Sequence, residues 1–217
     1  MSQIIDLTLT MRESMRGISW ETANTVARDG WNARLLHLYS HSGTHMDSPK
    51  HFDCGDQTID EIPLEECISH AWIVPLTHLE PKAAITIGDL GEVAAAFRPG
   101  QSLLLHTGWS QHVADGDYYR SSFPRISEEL AHWCVDRKVR LLGVEPPSVA
   151  DVFDLPEVTK IHQILLTGNV IIVEGLCHLE KITTPTVTFM ALPLKVEAGD
   201  GAPCRALAIE GDLADLV

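Results

Sequence analysis

The sequence is short of positive charge. Its 217 residues carry 16 Lys and Arg against 30 Asp and Glu, a formal net charge of −14, and no basic run exceeds two residues. Phosphate contacts need clustered cationic side chains, so the composition argues against a nucleic-acid surface. Long apolar runs are missing too: no segment approaches the roughly 18 uninterrupted apolar residues that span a bilayer. The opening MSQIIDLTLTMRES has no basic stretch leading into a long apolar one. A cytoplasmic protein with neither nucleic acid nor membrane as partner is therefore expected. No CxxC pair occurs among the five cysteines, Cys54, Cys67, Cys134, Cys177 and Cys204. This odd, widely spaced set reads as reduced thiols that mostly fill the core. Repeats, low-complexity tracts and Pro/Ser-rich linkers are absent as well, so one domain over 1–217 is expected, long enough to bury a substantial core.

What is present is an interleaving of strand and helix patterns. Short runs rich in Leu or β-branched residues at 2–9, 33–40, 70–77, 102–107, 139–144 and 169–174 predict strands. Two more, 187–196 and 204–210, flank the turn-rich AGDGAP and predict a hairpin with a long loop. Helices are predicted from Thr86, with Asp89 three residues on, through LGEVAAAF; from Ser127 through EELAHWCVDRK; and over 157–166. The closing hairpin spoils a purely parallel alternation. The expected fold is α/β, a mixed β-sheet partly curled into a barrel and flanked by helices.

Histidine carries the functional signal. Of 11 in the chain, His41, His45 and His51 fall in the stretch HSGTHMDSPKHF together with Asp47. Three imidazoles and a carboxylate suit zinc, manganese or iron(II). A helix would place His41 and His45 about 40° apart but swing Asp47 to roughly 240°, and Gly43, Thr44, Ser48 and Pro49 disfavour one. In an extended chain, positions 41, 45, 47 and 51 share one parity and face one side. A straight strand would hold the Cα atoms of His41 and His45 about 13 Å apart, so a kink near Gly43 is expected. The zinc-protease pattern HExxH fails because Ser42 stands where its Glu is required.

These residues resemble a known family. HSGTHMDSPKHF is similar to the HxGTHxDxPxHF signature of the cyclase family of metal-dependent hydrolases, which includes bacterial kynurenine formamidases and isatin hydrolases. LLLHTGW, LLGVEPPSVAD, KIHQILLTGNVIIVEGLCHL and FMALPLKVEAGDGAPCRALAI resemble the later blocks in order and spacing. The segments 12–34 and 112–126 match least. Ile161 stands where many members have the first of two adjacent His, and ISWETANT matches Trp20 but not a Pro-Gly-Asp turn.

The resemblance implies a cyclase-like, swivelling β/β/α fold and a divalent metal, zinc or manganese, with one or two ions per subunit. It implies that His41, His45 and Asp47 bind one ion and that Asp47 bridges to a second that also takes His162, with Glu174 contacting the metals. His51 would be the proton donor and acceptor. Trp20 and Phe52, and Trp31 beside them, would supply an aromatic wall for a planar substrate. The activity implied is hydrolysis of the C–N bond of an N-formyl arylamine by metal-activated water, as in tryptophan catabolism. The alternative implied is hydrolysis of a cyclic amide, imide or lactone, as in isatin hydrolases, which carry Gln where this chain has Glu174. A third reading is a metal-binding module without catalysis, which would leave His51 without a purpose. The resemblance also implies a homo-oligomer, dimer or tetramer.

Overall fold

The computed structural model describes residues 2–212 and 214. Its strands are β1 (Gln3–Asp6), β2 (Ile18–Asn24), β3 (Ala33–Leu38), β4 (His45–Asp47), β5 (Ile68–Pro75), β6 (Ala84–Ile85), β7 (Ser102–His106), β8 (Arg125–Ile126), β9 (Leu141–Val144), β10 (Ile171–Glu174), β11 (Thr186–Pro193) and β12 (Gly201–Glu210). The helices are α1 (Val26–Asp29), α2 (Val93–Ala96), α3 (Gly116–Ser121), α4 (Glu128–Asp136) and α5 (Leu155–Thr167). Seven of the eight strand segments expected from sequence contain a strand of the main sheet, and the eighth, 33–40, holds β3, which pairs with β2 in a separate two-stranded sheet. The main sheet runs β1-β12-β11-β5-β7-β9-β10-β4, and β4 pairs onward to β12. Seven strands thus close on themselves. The one edge of β12 is divided, with Gly201–Pro203 facing β4 and Leu207–Glu210 facing β1.

The sheet is mixed, as expected. β5, β7, β9 and β10 run parallel, whereas β4, β11 and β12 join antiparallel. Parallel strands covered on both faces need unbroken apolar runs, and Leu103, Leu104 and Leu105 are all fully buried. Alternation divides them: Leu104, Leu141, Val173, Met46, Phe189 and Ala206 fill the barrel interior. Leu103, Leu105, Leu142 and Ile172 face outward under Leu130, Ile161 and Leu165 of α4 and α5. Ile161 therefore serves the core between helix and sheet.

Two helices follow their sequence signals. Ser127 accepts a hydrogen bond from the Leu130 amide at the start of α4, and Asp154 accepts from the Glu157 amide at the start of α5. The expected helix from Thr86 is corrected. Its Thr86–Asp89 capping box forms, but it heads only a 3-10 turn over Ile87–Leu90, and α2 is a separate short helix beyond Gly91. The β2–β3 hairpin has no counterpart at Ile18–Asn24 in the sequence reading. The cysteines are all free thiols and four of the five are buried. No helix among the described residues is long and apolar enough to cross a membrane.

Candidate metal centre

The closing strand carries the site. In β4, Met46 points into the barrel, so its neighbours His45 and Asp47 project from the outer face. Across the β4–β10 pair His45 sits directly opposite Glu174, which puts both side chains on that face. His162 is added by α5, which packs over β10. His45, Asp47, His162 and Glu174 are each no more than 3% exposed.

His41 arrives by a turn. Gly43 adopts φ +63°, and Gly175, just past Glu174, adopts φ +68°. A Cβ on Gly175 would stand 2.4 Å from the Gly43 carbonyl oxygen. The close approach lets Thr44 Oγ1 donate to the Gly175 carbonyl at 2.5 Å. His51 returns from a 3-10 turn, Pro49–Phe52. The extended run of one parity from 41 to 51 is thus corrected: His45 and Asp47 share a strand face, whereas His41 and His51 fold back. All four nevertheless converge, with the rings of His41 and His51 stacked at 3.7 Å.

Two backbone carbonyls set the imidazoles. Nδ1 of His45 donates to the Gly43 carbonyl at 3.0 Å, and Nδ1 of His162 donates to Val158 at 2.7 Å. A carbonyl only accepts, so both rings turn Nε2 inward. Nε2 of His45 lies 3.2 Å from Glu174 Oε2, and Nε2 of His162 lies 3.4 Å from Glu174 Oε1. Asp47 Oδ1 is 2.8 Å from His41 Nδ1. Asp47 Oδ2 is buried without any hydrogen-bond partner.

That orphan oxygen is the test of whether a cation fits. A buried carboxylate oxygen is costly unless paired or ligated. Ligand atoms of His41, His45 and Asp47 lie within 4.8 Å of one another, as do those of Asp47, His162 and Glu174. Asp47 is common to both groups, and the imidazole and carboxylate donors suit zinc or manganese. Imidazoles fixed through Nδ1 to backbone carbonyls are also the usual outer support of metal-binding histidines.

Without a cation, protons hold the cluster together. Burial disfavours the His41 imidazolium, but Asp47 and then Asp200 overcome it and raise the group to about 9. His45 and His162 are raised likewise, burial being outweighed chiefly by Glu174. Burial alone would push the Glu174 carboxyl up, yet hydrogen bonds from His162 and His45 hold it well below the usual carboxylate range. His51 goes the other way. Burial, helped by the charges of His41 and His162 and partly offset by Asp47, lowers it.

Phe52 is at the site, stacked on His162 with centroids 4.5 Å apart and edge-on to His51. Trp20 is not: it lies on β2 under the Arg34 guanidinium at 5.1 Å and lines neither cavity beside the cluster. Trp31 is 59% exposed. Its place in a separate hairpin keeps Trp20 away from the cluster within this chain. The sequence reading missed Asp200, whose Oδ2 is 2.9 Å from His41 Nε2 and 3.6 Å from His51 Nδ1. Its only sequence signal was a carboxylate between two glycines of AGDGAP, read simply as a turn. Two adjoining cavities, about 380 and 170 Å³, open onto the cluster.

Comparison with known proteins agrees with this geometry. A kynurenine formamidase of Salinibacter ruber is 30% identical over 192 residues, which cover 87% of this chain and 85% of that one. Isatin hydrolase A from Ralstonia solanacearum superposes with a TM-score of 0.86 at 22% identity, over 97% of this chain and 92% of that one. A protein described as a "predicted metal-dependent hydrolase" from Bacillus stearothermophilus gives a TM-score of 0.80 at 24% identity, over 97% and 100%. These two likenesses establish the shared fold. The family model described as "Putative cyclase" matches residues 5–151, a span that holds the HSGTHMD turn and the closing strand β4, and the chain belongs to the cyclase family.

Proposed function

We propose that the chain is a metal-dependent amidohydrolase that cleaves the C–N bond of an N-formyl arylamine, with N-formylkynurenine as its reference substrate. The observation that carries the reading is the unpartnered Asp47 Oδ2, shared by two groups of His and carboxylate ligands. The relative of 30% identity points the same way. His41, His45 and Asp47 would hold one divalent ion, and Asp47, His162 and Glu174 a second. Such an ion supplies polarisation of the scissile carbonyl and acidification of water.

The chain's own residues supply the rest. His51 lies beside this cluster, and its lowered affinity for a proton keeps it neutral and ready to accept one from the attacking water. It then returns that proton to the departing nitrogen, which would otherwise leave as an unstable amine anion. Asp200, 3.6 Å from His51 Nδ1, orients the ring. Phe52 packs against both His51 and His162 and closes the apolar side of the cavity. Zinc or manganese as the ion, a homo-oligomeric assembly and a cytoplasmic role in tryptophan breakdown belong to the same proposal.

Replacing His51 tests it. His51→Ala retains bound metal yet loses roughly 100- to 10,000-fold in turnover of N-formylkynurenine, followed by the absorbance of the arylamine product. An active His51→Ala enzyme overturns the assignment. A second reading, opening of a cyclic amide, is favoured by the likeness to isatin hydrolase A. Turnover of isatin in preference to N-formylkynurenine would select it.

A further inference from the structure

Two arginines stand over the metal-ligand cluster with no carboxylate bound to either. Arg16 lies in the loop before β2, and Arg120 lies on α3. Both line the 380 Å³ cavity with His41 and His45, and both line the smaller one with His51 and Glu174. Among the described residues neither guanidinium makes a hydrogen bond or an ion pair. Arg28, Arg125, Arg140 and Arg205 each reach a carboxylate, whereas Arg12, Arg34, Arg98 and Arg137 have no such ion pair; what sets Arg16 and Arg120 apart is the cavity they share with the ligand cluster. Asp117, three residues before Arg120 and on the same cavity, makes no ion pair with it either.

In a chain with 30 carboxylates against 16 Lys and Arg, two guanidiniums that share one cavity with no carboxylate bound between them call for an anion. Arg120 is partly buried, and an unpaired charge taken out of water is costly. Burial first, and then the charge of Arg16, hold Arg120 below the usual guanidinium value. The buried carboxylates nearby are engaged elsewhere, Glu174 with His45 and His162 and Asp47 with His41. The arrangement lacks an anion. A guanidinium offers a planar fork of donors that matches a carboxylate with two parallel hydrogen bonds. The Tyr39 ring, 5.8 Å from the Arg16 guanidinium carbon, helps to set that fork in place.

We propose that Arg16 and Arg120 form a carboxylate clamp, so that the substrate is an amide carrying an anionic carboxylate remote from its scissile bond. The proposal rests on the hydrolase reading above and narrows its substrate class. The two residues come from segments 12–34 and 112–126, where the resemblance to the family is weakest, and such loops are where relatives on one scaffold differ in specificity. The ligand cluster would position the amide, and the clamp would select which amides reach it.

A matched pair of compounds tests it: N-formylkynurenine and its carboxylate methyl ester, which share the aryl formamide and differ only in charge. For the protein loaded with zinc or manganese, the acid is expected to exceed the ester by about tenfold or more in kcat/KM, mainly through KM. In Arg120→Gln and in Arg16→Gln that ratio falls towards one, and Arg120→Lys restores part of it. A ratio near one in the parent enzyme, or one unchanged in both Gln variants, overturns the clamp. Calorimetric binding of L-kynurenine against its methyl ester to the same proteins decides the clamp independently of turnover. If neither formamide is hydrolysed, the formamidase reading fails. An acid-over-ester binding preference that vanishes in the variants would still uphold the clamp, and its absence would remove it.

Discussion

The proton on His41 links metal binding to pH in a measurable way. The imidazole is raised from an ordinary 6.5 to about 9, against its burial, by Asp47 and Asp200. Because the folded value lies above the unfolded one, the ion-free chain has the full benefit of this proton below pH 6.5. It loses that benefit as pH rises through 9, a change of about 3 kcal/mol. A cation bound through that imidazole must displace the proton, so the stabilisation it confers grows by a similar amount over the same window. This corresponds to roughly tenfold in apparent affinity per pH unit. In a chain of this size 1 kcal/mol moves Tm by roughly 2–4 °C. The increase in Tm on adding saturating zinc or manganese to EDTA-stripped protein should therefore be roughly 6–12 °C larger near pH 9 than at pH 6.5. His45 and His162, raised in the same direction, can only add to it. Thermal melts at three pH values decide the matter. A metal-induced increase that is flat, or that shrinks as pH rises, would refute a ligand set held by displaceable protons.

Three substitutions probe the frame of the site. Asp47→Asn removes the charge common to both ligand groups, and metal content after dialysis should fall with affinity weakened by roughly 100-fold or more. Gly175→Ala forces a side chain into φ +68° with its Cβ 2.4 Å from the Gly43 carbonyl oxygen. It should cost about 2 kcal/mol or more in urea unfolding and displace His41 enough to weaken metal binding. Phe189→Ala empties the barrel interior, where Phe189 is fully buried, and should cost about 3–5 kcal/mol while leaving the ligands in place. An unchanged unfolding midpoint in either of the last two would contradict the packing described.

The elements with strong local signals were legible. Unbroken Leu runs marked the covered parallel strands, and the capping residue Ser127 stands at the head of α4; α5, expected over 157–166, begins two residues earlier behind the unread cap Asp154. The helix at Thr86 was misread because its capping box is genuine but Gly91 ends the turn within one residue of Leu90. Of the β2–β3 hairpin, β3 lies within the expected strand 33–40 but β2 escaped, because in ISWETAN only Ile18 is buried and no alternation marks it as a strand. In the site the named residues do come together, but not along one extended run. Parity paired His45 with Asp47, and the kink expected near Gly43 is present as a positive φ, but the 3-10 turn begun by Pro49, which sends His51 back, had no sequence reading.

What no local pattern carries is the register that unites the site. Glu174 meets His45 because β10 pairs antiparallel with β4, and the loop bearing Asp200 reaches His41 because β12 pairs with the other side of the same short strand. β4 has only three residues, yet it closes a seven-stranded ring, and few backbone bonds hold it there. Its outward side chains bridge the gap: His45 to Glu174 of β10, Asp47 towards His162 of α5, and Asp47 through His41 to Asp200. Every one of these bridges is a contact between an imidazole and a carboxylate, and in each a shared proton can give way to a shared cation. The same few residues therefore close the barrel and present the chemistry. A closing strand this short can be tolerated because ligand binding on its outer face ties it to both neighbours.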